Sequence, residues 1–539
     1  MPVSPTYPGV YIEEIPSGVR TITGVATSIT AFIGRALKGP VDEPTTIFNY
    51  GDYERHFGGL WTESTMSYAV KDFYLNRGSQ AIIVRVVHDD ADTARIEIPT
   101  IVTSPPAIVT SPPDDILNLD ASSPGAWGNN LYAEVDNETG DPTEAPTSPP
   151  AELDPQIFNL TITEKVDGEE KQSEKFLNVT LIPTDRRYLP RVLEQSSTLV
   201  TVPKDGEDWD VPIAPPQVTI SEIQATGGDD GGPIETNDYL ESESDKTGLY
   251  ALEKADLFNL LCIPPAIRTE DTDPSVYQEA MAYCTTRRAM LIVDPPFNWG
   301  ASPANAASNA FSGLSTLGLS GKDARNAALY FPRVRQPDPE RDGQPDTFVP
   351  CGIIAGVMSS TDTNRGVWKA PAGLDAALNG IQGLQVNLTD DENGRLNQIG
   401  INCLRVFPIN GRVVWGARTL RGADQLADEY KYVPVRRTAL FIEESLYRGT
   451  QWVVFEPNDE PLWAQIRLNV GAFMHNLFRQ GAFQGTAPKD AYLVKCDKET
   501  TTQNDINLGI VNILVGFAPL KPAEFVIIKI QQLAGQIEV

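Results

Sequence analysis

Residues 257–331 set the fold class, because apolar runs alternate there with helical patterns. The runs read LFNLLCI at 257–263, AMLIV at 289–293 and AALYF at 327–331. Residues 275–287 and 303–317 between the runs have the apolar spacing of helices. Strands that alternate with helices over short connections indicate βαβ units and a mainly parallel sheet. The sequence therefore predicts an α/β domain in the middle of the chain.

The same pattern begins near the start of the chain. Residues 30–33 and the β-branched run 81–87 are typical of strands that are covered on both faces. Residues 62–76 between them predict a helix, which ends before Gly78. We expect both strands to join the central sheet, so that residues 96–245 form an insertion within one α/β domain.

The insertion has a different composition from the rest. It contains the tandem duplication IVTSPP at 101–106 and 108–113, followed by acidic and glycine-rich clusters. Alternating apolar stretches at 158–163 and 176–181 indicate strands that have one buried face. We interpret 96–245 as a surface domain of mainly β structure on extended, proline-rich linkers.

The last 120 residues predict a further, α+β unit. Residues 435–447 predict a helix, and a longer helix follows Asn458 or Asp459, which can cap it, and ends at Gly481. The expected strands of this unit are 412–420, 451–455, 491–496, 508–517 and 524–531.

Both ends of the chain are apolar and bounded by prolines. The apolar residues of the first end are Tyr7, Val10, Tyr11, Ile12 and Ile15. Those of the second end are Phe525, Val526, Ile527, Ile528 and Ile530, which follow Pro519 and Pro522. Frayed termini are one interpretation. The other is that each end is a strand that pairs outside its own subunit, because strand addition to a sheet edge is a common mode of recognition.

The composition excludes several classes of protein. Of 539 residues, 41% are apolar and 21% charged, and 72 acidic residues against 43 basic ones give a net charge of −29. Such a charge repels phosphate backbones, so no nucleic-acid partner is expected. No apolar run is long enough to insert in a membrane, and the first residues lack the pattern of a signal peptide. Five scattered cysteines indicate reduced thiols and synthesis in the cytoplasm.

The sequence carries little sign of catalysis. Neither GxSxG nor HExxH occurs. Asp294 is the best candidate for a site, because it follows the strand 289–293 at the edge where α/β sheets place their ligands. Pro295 and Pro296 follow it, where a binding loop needs backbone donors. We therefore predict no catalytic residue, no metal and no cofactor, with a cytoplasmic α/β hydrolase-like enzyme kept as an alternative.

Several long motifs, in order, resemble those of contractile tail sheath proteins. They are YPGVYIEEIPSG at 7–18, ITAFIG at 29–34, SPGAWGNNL at 123–131, RRTALFIEESLYRGTQWVVFEPND at 436–459 and TQNDINLGIVNILVGFAPLKPAEFVIIKI at 502–530. Within 96–245 the resemblance is limited to SPGAWGNNL. The first motif is closest in wording to the sheaths of phage-like extracellular contractile injection systems.

The resemblance implies a structural subunit without catalytic activity. Sheath subunits stack as rings around an inner tube in a metastable extended state, and contraction drives the tube through a target envelope. The implied partners are further copies of the chain, the inner tube protein, and baseplate and cap or terminator proteins. The implied location is a phage tail or phage-like particle assembled in the bacterial cytoplasm, with release from the cell left open. Another structural component of a phage tail is the remaining alternative.

The resemblance also implies a division of the chain. The chain begins with an N-terminal arm (1–25) and ends with a C-terminal arm strand (521–539). Between the arms lie a discontinuous α/β middle domain (26–95 and 246–410), which surrounds the insertion (96–245), and a C-terminal α+β core domain (411–520). The family's middle domain has a subtilisin-like fold, here without a catalytic triad. Lys431, Arg436 and Arg437 are candidates for contact with the inner tube, and a solvated face or an ion pair within the chain is the alternative for them.

Overall fold

The chain has a mixed α/β fold, described for residues 20–100, 116–139, 157–212, 215–216 and 219–529 in a computed structural model. The α-helices are α1 (Tyr50–Phe57), α2 (Thr65–Leu75), α3 (Leu189–Ser196), α4 (Thr236–Leu240), α5 (Pro274–Thr286), α6 (Ala306–Gly313), α7 (Cys351–Arg365), α8 (Asp390–Asn397), α9 (Val433–Gly449), α10 (Glu460–Arg479), α11 (Pro488–Ala491) and α12 (Gln503–Asn507).

The strands lie in the central region, the insertion and the C-terminal region. They are β1 (Thr30–Gly34), β2 (Thr45–Ile47), β3 (Ala81–Arg85), β4 (Arg95–Pro99), β5 (Ile116–Ala121), β6 (Leu131–Asp136), β7 (Ile157–Val166), β8 (Glu169–Thr180), β9 (Val200–Thr201), β10 (Lys204–Asp205), β11 (Asp208–Trp209), β12 (Ile220–Gln224), β13 (Leu260–Cys262), β14 (Met290–Val293), β15 (Ala327–Phe331), β16 (Val334–Asp338), β17 (Gln344–Phe348), β18 (Gly383–Leu384), β19 (Ile401–Phe407), β20 (Gly411–Val414), β21 (Tyr492–Lys495) and β22 (Leu514–Phe517).

An eight-stranded sheet organises the middle of the molecule. Its strand order is β2-β3-β1-β13-β14-β15-β19-β20. The neighbours from β3 to β19 run parallel, and the edge strands β2 and β20 are antiparallel. The predicted parallel sheet is therefore confirmed, with the two strands upstream of the insertion as members. Helices cover both faces, as a parallel sheet requires.

Alternate side chains of the sheet belong to two separate cores. On β1, Ala31 and Ile33 point into the core formed with α5, α6 and α8, whereas Phe32 points into the core formed with α1, α2 and α7. The alternation follows from the period of two along a strand. It makes the sheet the common wall of the two helical layers.

The described residues of 96–245 have a core of their own. One sheet has the order β12-β6-β7-β8 and another the order β4-β5-β9, and their buried side chains form a cluster separate from those of the central sheet. The glycine-rich stretch near residue 228 packs on the SPGAWGNNL motif: the Asn129 amide donates to the Gly228 carbonyl (2.7 Å) and accepts from its N–H (2.9 Å). Tyr239, further along, lies in the core of the central sheet.

Four of the predicted strands need correction. Residues 451–453 form a 3₁₀ helix, because the chain there continues from α9 through turn hydrogen bonds. Only the first residues of the predicted strand 412–420 form a strand, β20, and this strand belongs to the central sheet. Of 508–517, only β22 is a strand, after the short helix α12. The described residues of 524–531 have no strand partner in the single chain and do not form a strand.

Close backbone packing joins α2 to α7. A Cβ atom at Gly352 would lie 1.9 Å from the Ala69 carbonyl oxygen, and one at Gly356 would lie 2.6 Å from the Phe73 carbonyl oxygen. Both atoms belong to the backbone of α2, which cannot move without disturbing the sheet beneath it. These glycines therefore set the distance between the two helices.

Asp294, the residue weighed as a catalytic candidate, is a buried structural group. Its Oδ1 accepts a hydrogen bond from the backbone N–H of Cys351 at the start of α7 (2.9 Å), and its Oδ2 has no hydrogen-bond partner. Burial raises the pKa of Asp294 to about 7, against the opposing effects of Cys351 and the Arg333 charge. The carboxyl group joins the carboxyl end of β14 to the start of α7, and its Oδ2 is inaccessible to solvent.

We expect Gly352→Ala to destabilise the fold by about 3 kcal/mol or more, because the added methyl group overlaps a backbone oxygen. Gly394→Ala is the matched control, since a Cβ at this position in α8 meets nothing within 4 Å and alanine favours a helix by about 1 kcal/mol. Chemical denaturation of both variants measures the difference. Equal stability of the two variants would contradict the packing described for α2 and α7.

We expect Asp294→Asn to remove part of the pH dependence of stability. Because the folded pKa of Asp294 lies above its unfolded value, the contribution of Asp294 to wild-type stability falls as the pH rises from about 4 to above 7. The asparagine variant has no proton to lose and becomes the more stable protein above pH 7, by up to a few kcal/mol. Denaturation curves at pH 5 and pH 8 test this. If the two proteins differ in unfolding free energy by the same amount at pH 5 and at pH 8, the burial of the Asp294 carboxyl group is contradicted.

Candidate subunit-interaction site

The C-terminal region carries an incomplete β-sheet. Strands β21 and β22 pair antiparallel, with Val494 opposite Val515, and among the described residues the sheet has two strands. One face lies on α10, while Leu493 and Leu514 are each 52% exposed. Two-stranded sheets are marginal in water, and an edge strand presents unpaired N–H and C=O groups. The sheet can therefore accept further strands.

The segment before β1 is bound to the same region of the molecule. Ile22 is buried against α9 and α10, and the Arg20 N–H donates to Asn469 Oδ1 (3.1 Å). The Val25 N–H donates to Ser445 Oγ (3.2 Å). Gly449 makes the approach possible, because a Cβ there would lie 2.5 Å from Ile22. The predicted arm residues Tyr7, Val10, Tyr11, Ile12 and Ile15 lie outside the described residues.

The segment after β22 leaves the sheet with its apolar side chains in solvent. Ala518 still bonds to its own subunit, since its N–H donates to the Ala491 carbonyl (2.8 Å) and its carbonyl accepts from Gln484 (2.9 Å). Phe525, Val526, Ile527 and Ile528 are 72–82% exposed. Four consecutive exposed apolar side chains mark an interaction surface. Ile530, the remaining predicted residue of this arm, lies outside the described residues.

A partly buried ion pair fixes this segment immediately before the exposed run. Arg418 is fully buried; its Nε and Nη2 donate to the two carboxylate oxygens of Glu524, each at 2.7 Å. Asn397 Nδ2 (2.7 Å) and the Tyr432 hydroxyl (3.0 Å) donate to the same carboxylate. Burial disfavours the charged form of Glu524, but these hydrogen bonds and the Arg418 charge outweigh it and lower the pKa of Glu524. We call these four residues the Glu524 clamp.

Sequence reasoning did not find the Glu524 clamp. Arg418 and Glu524 are 106 residues apart, and no local pattern relates them. The one available signal is the position of Glu524, a charged residue between a proline-bounded turn and an apolar run.

The three candidates for contact with an inner tube form ion pairs within the chain. Lys431 pairs with Asp424 (2.6 Å), and Arg436 pairs with Glu443 (3.2 Å). Arg437 is buried and pairs with Asp362 on α7, and it also donates to the Thr27 carbonyl (2.8 Å). Its contacts hold α9, α7 and the segment before β1 together.

Metal clusters and membrane-spanning helices are both absent from the described residues. In the ranges that the structure covers, no cluster of three or more His, Cys, Asp or Glu residues has the arrangement of a metal site. Across the same ranges no helix is both long and apolar enough to cross a membrane. All five cysteines are free and buried.

Two models of protein domains match the chain. A model of the phage tail sheath protein central domain matches residues 232–420, and a model of the phage tail sheath C-terminal domain matches residues 427–532. A tail sheath protein of Vibrio phage KVP40 is 28% identical over 175 residues, which are 32% of this chain and 24% of that protein. The chain thus matches about a quarter of the length of this curated relative.

Solved structures share the fold over almost the whole chain. The sheath complex of the extracellular contractile injection system PVC, in the contracted state, has a TM-score of 0.55 and 19% identity, with 99% of each chain covered. The contracted helical sheath of the anti-feeding prophage has a TM-score of 0.53 and 22% identity, with 98% of this chain and 100% of that chain covered. The sheath tail protein of Listeria innocua has a TM-score of 0.58 and 13% identity, with 93% and 96% covered.

The predicted mixed α/β, multidomain fold is confirmed by these structural likenesses. The two domain models together cover more than half of the sequence, in the order expected for one protein. The chain belongs to the phage tail sheath family.

Proposed function

We propose that the chain is the sheath subunit of a contractile phage tail or tail-like injection particle and acts by polymerising. One observation carries the proposal: a two-stranded sheet with open edges lies in the same subunit as an exposed apolar segment that has no strand partner among the described residues. The sheet of one copy can take the segment of another as an added strand. The fold likeness to contracted sheaths supports this assignment.

The proposed exchange has a favourable energy. Phe525, Val526, Ile527 and Ile528 are largely exposed in the single chain, and full burial of such side chains contributes about 1.5–3 kcal/mol each. Main-chain hydrogen bonds to a strand edge add affinity and fix the register. We propose that each copy gives its segment to one neighbour and receives a segment from another. The contact is then head-to-tail and extends into a ring or polymer instead of closing as a dimer.

The distribution of charge is compatible with close packing of subunits. Residues 96–245 contain 30 acidic and 7 basic residues, so they hold −23 of the net charge of −29. The other residues of the chain have a net charge of −6. Like charges oppose association, and here most of that repulsion is confined to the insertion. The remaining body, which carries the sheet and the exchanged segments, can approach its neighbours at little electrostatic cost.

In the proposed particle the chain divides into the arms, middle domain, insertion and core domain in the order given above, with Tyr239 and strand β20 assigned to the middle domain. The middle domain is subtilisin-like in fold only. The residues of the first arm, 7–15, occupy the second open position of a neighbour's sheet. Copies stack as rings around an inner tube and join baseplate and cap proteins. Lys431 and Arg436 are the candidate contacts with the tube, and the buried Arg437 is no longer one. The polymer assembles in the bacterial cytoplasm and works without enzymatic activity.

Electron microscopy of the chain, expressed alone or with its tube protein, tests the function. We expect hollow, striated tubes of constant diameter. A protein that remains monomeric at high concentration in both preparations would rule out the sheath function.

Replacing Val526 and Ile527 together by proline tests the exchanged segment, because proline cannot donate to a strand ladder. Adjacent residues of a strand point their N–H groups to opposite edges, so the double change removes one donor from each edge of the segment. We expect a folded subunit whose critical concentration for assembly rises at least about tenfold, which corresponds to about 1.4 kcal/mol. Sedimentation of the polymer leaves the free subunit in solution, and the concentration of this free subunit is the critical concentration.

Val526→Ile combined with Ile527→Val is the matched control, since it keeps both donors and the apolar character. It should assemble as the wild type does. If the double-proline variant also assembles at the wild-type concentration, the segment is not an exchanged strand.

A further inference from the structure

Glu524 lies where three elements of the molecule meet. Its carboxylate contacts Asn397 at the end of α8, Arg418 in the connection from β20 to α9, and Tyr432 immediately before α9. The matched central-domain region ends at residue 420 and the C-terminal region begins at 427, so Arg418 lies at the junction of the two. The Glu524 clamp therefore fastens the C-terminal segment to both regions.

The clamp is built around a guanidinium that makes hydrogen bonds through all three of its nitrogens. Besides the two bonds to Glu524, Arg418 Nη1 donates to the Asn397 carbonyl (2.8 Å), to Asp424 (3.0 Å) and to the Gly422 carbonyl (3.3 Å). A planar guanidinium that binds a carboxylate at two points fixes the direction of the carboxylate as well as its position. Because Arg418 is fully buried, its orientation is set by the fold. The pair is therefore more rigid than a surface ion pair.

The place of the clamp along the chain gives it a mechanical role. Upstream, Ala518 is held by two backbone hydrogen bonds next to the β21–β22 sheet. Backbone bonds at a strand edge can separate one after another when the strand is pulled away. Downstream, the side chains of residues 525–528 are exposed. Any force on the exposed segment therefore meets Glu524 before it meets the sheet.

We propose that Glu524 and Arg418 anchor the exchanged segment, so that tension from a neighbouring copy enters the subunit at the junction of its two matched regions and does not peel the β21–β22 sheet. The anchor also separates the residues that stay with their own subunit, up to Glu524, from those that pair elsewhere, from Phe525 onward. Glu524 is a positioning residue in this scheme. The mechanical role rests on the proposed sheath function, whereas the position of the anchor does not.

Glu524→Gln tests the anchor, because the amide keeps the size of the side chain but loses the charge and one of the two acceptors for Arg418. Chymotrypsin cleavage after Phe525 is the local readout, since the protease must draw an extended segment that includes Glu524 into its active site. In the unassembled subunit we expect cleavage to become at least about tenfold faster, with little change in the thermal unfolding midpoint. In assembled sheaths we expect subunits to dissociate at least about tenfold faster on dilution, which corresponds to about 1.4 kcal/mol.

Two further variants make the test decisive. Asp390→Asn is the matched control, because it removes the ion pair between Arg405 and Asp390, whose side chain is 96% exposed. This variant should change neither the cleavage rate nor the dissociation rate. Arg418→Met combined with Glu524→Leu removes the anchor without leaving an unpaired buried charge, and it should reproduce both effects even if Glu524→Gln folds poorly.

Unchanged cleavage in Glu524→Gln and in the double variant would overturn the anchor. Faster cleavage with unchanged dissociation would overturn its mechanical role. If the wild type forms no sheath, the proposed function fails, but the cleavage comparison still decides whether Glu524 holds the segment.

Discussion

The hydrogen-bonding demand of unpaired backbone is the constraint on which the rest of this structure depends. A strand edge exposes N–H and C=O groups that must bond to water or to another strand. In the central sheet the six strands between the edge strands β2 and β20 meet this demand within the chain, and helices cover both faces. In the C-terminal region, β21 and β22 leave both edges of their sheet available, next to an apolar segment without a partner among the described residues. The inner strands of the central sheet are thus paired within one subunit, and we propose that other copies complete the C-terminal sheet.

The elements that are local in sequence could be predicted. Helix α10 has an N-cap at Asp459, a proline in its first turn and a glycine with positive φ at residue 481, and each of these signals acts within a few residues. The parallel strands could be recognised because burial on both faces demands continuous apolar runs. Residues 451–455 have the composition of a strand but follow directly on α9, and turn hydrogen bonds decide their structure. The composition of a segment does not show whether the fold offers it a strand to pair with.

The candidate site was predictable to a limited extent. The apolar character of residues 525–528 indicated contacts outside the subunit, and their exposure in the single chain agrees with that hypothesis. The Glu524 clamp was not predictable, because its two charges are brought together by the fold over 106 residues. Arg437 shows the converse difficulty. As one of two adjacent arginines it suggested a charged surface, yet it is a buried tie between α9 and α7. The charge of a side chain can be read from the sequence, whereas its burial depends on tertiary packing.

The central claim is that residues 525–528 complete the sheet of another copy. A cryo-electron microscopy map of the assembled polymer, at a resolution that separates strands, measures this directly. The account predicts main-chain hydrogen bonds between these residues and a β21–β22 edge of a neighbouring subunit, with Glu524 still bound to Arg418 of its own subunit. A map in which residues 525–528 remain unpaired, or fold back on their own sheet, would contradict it.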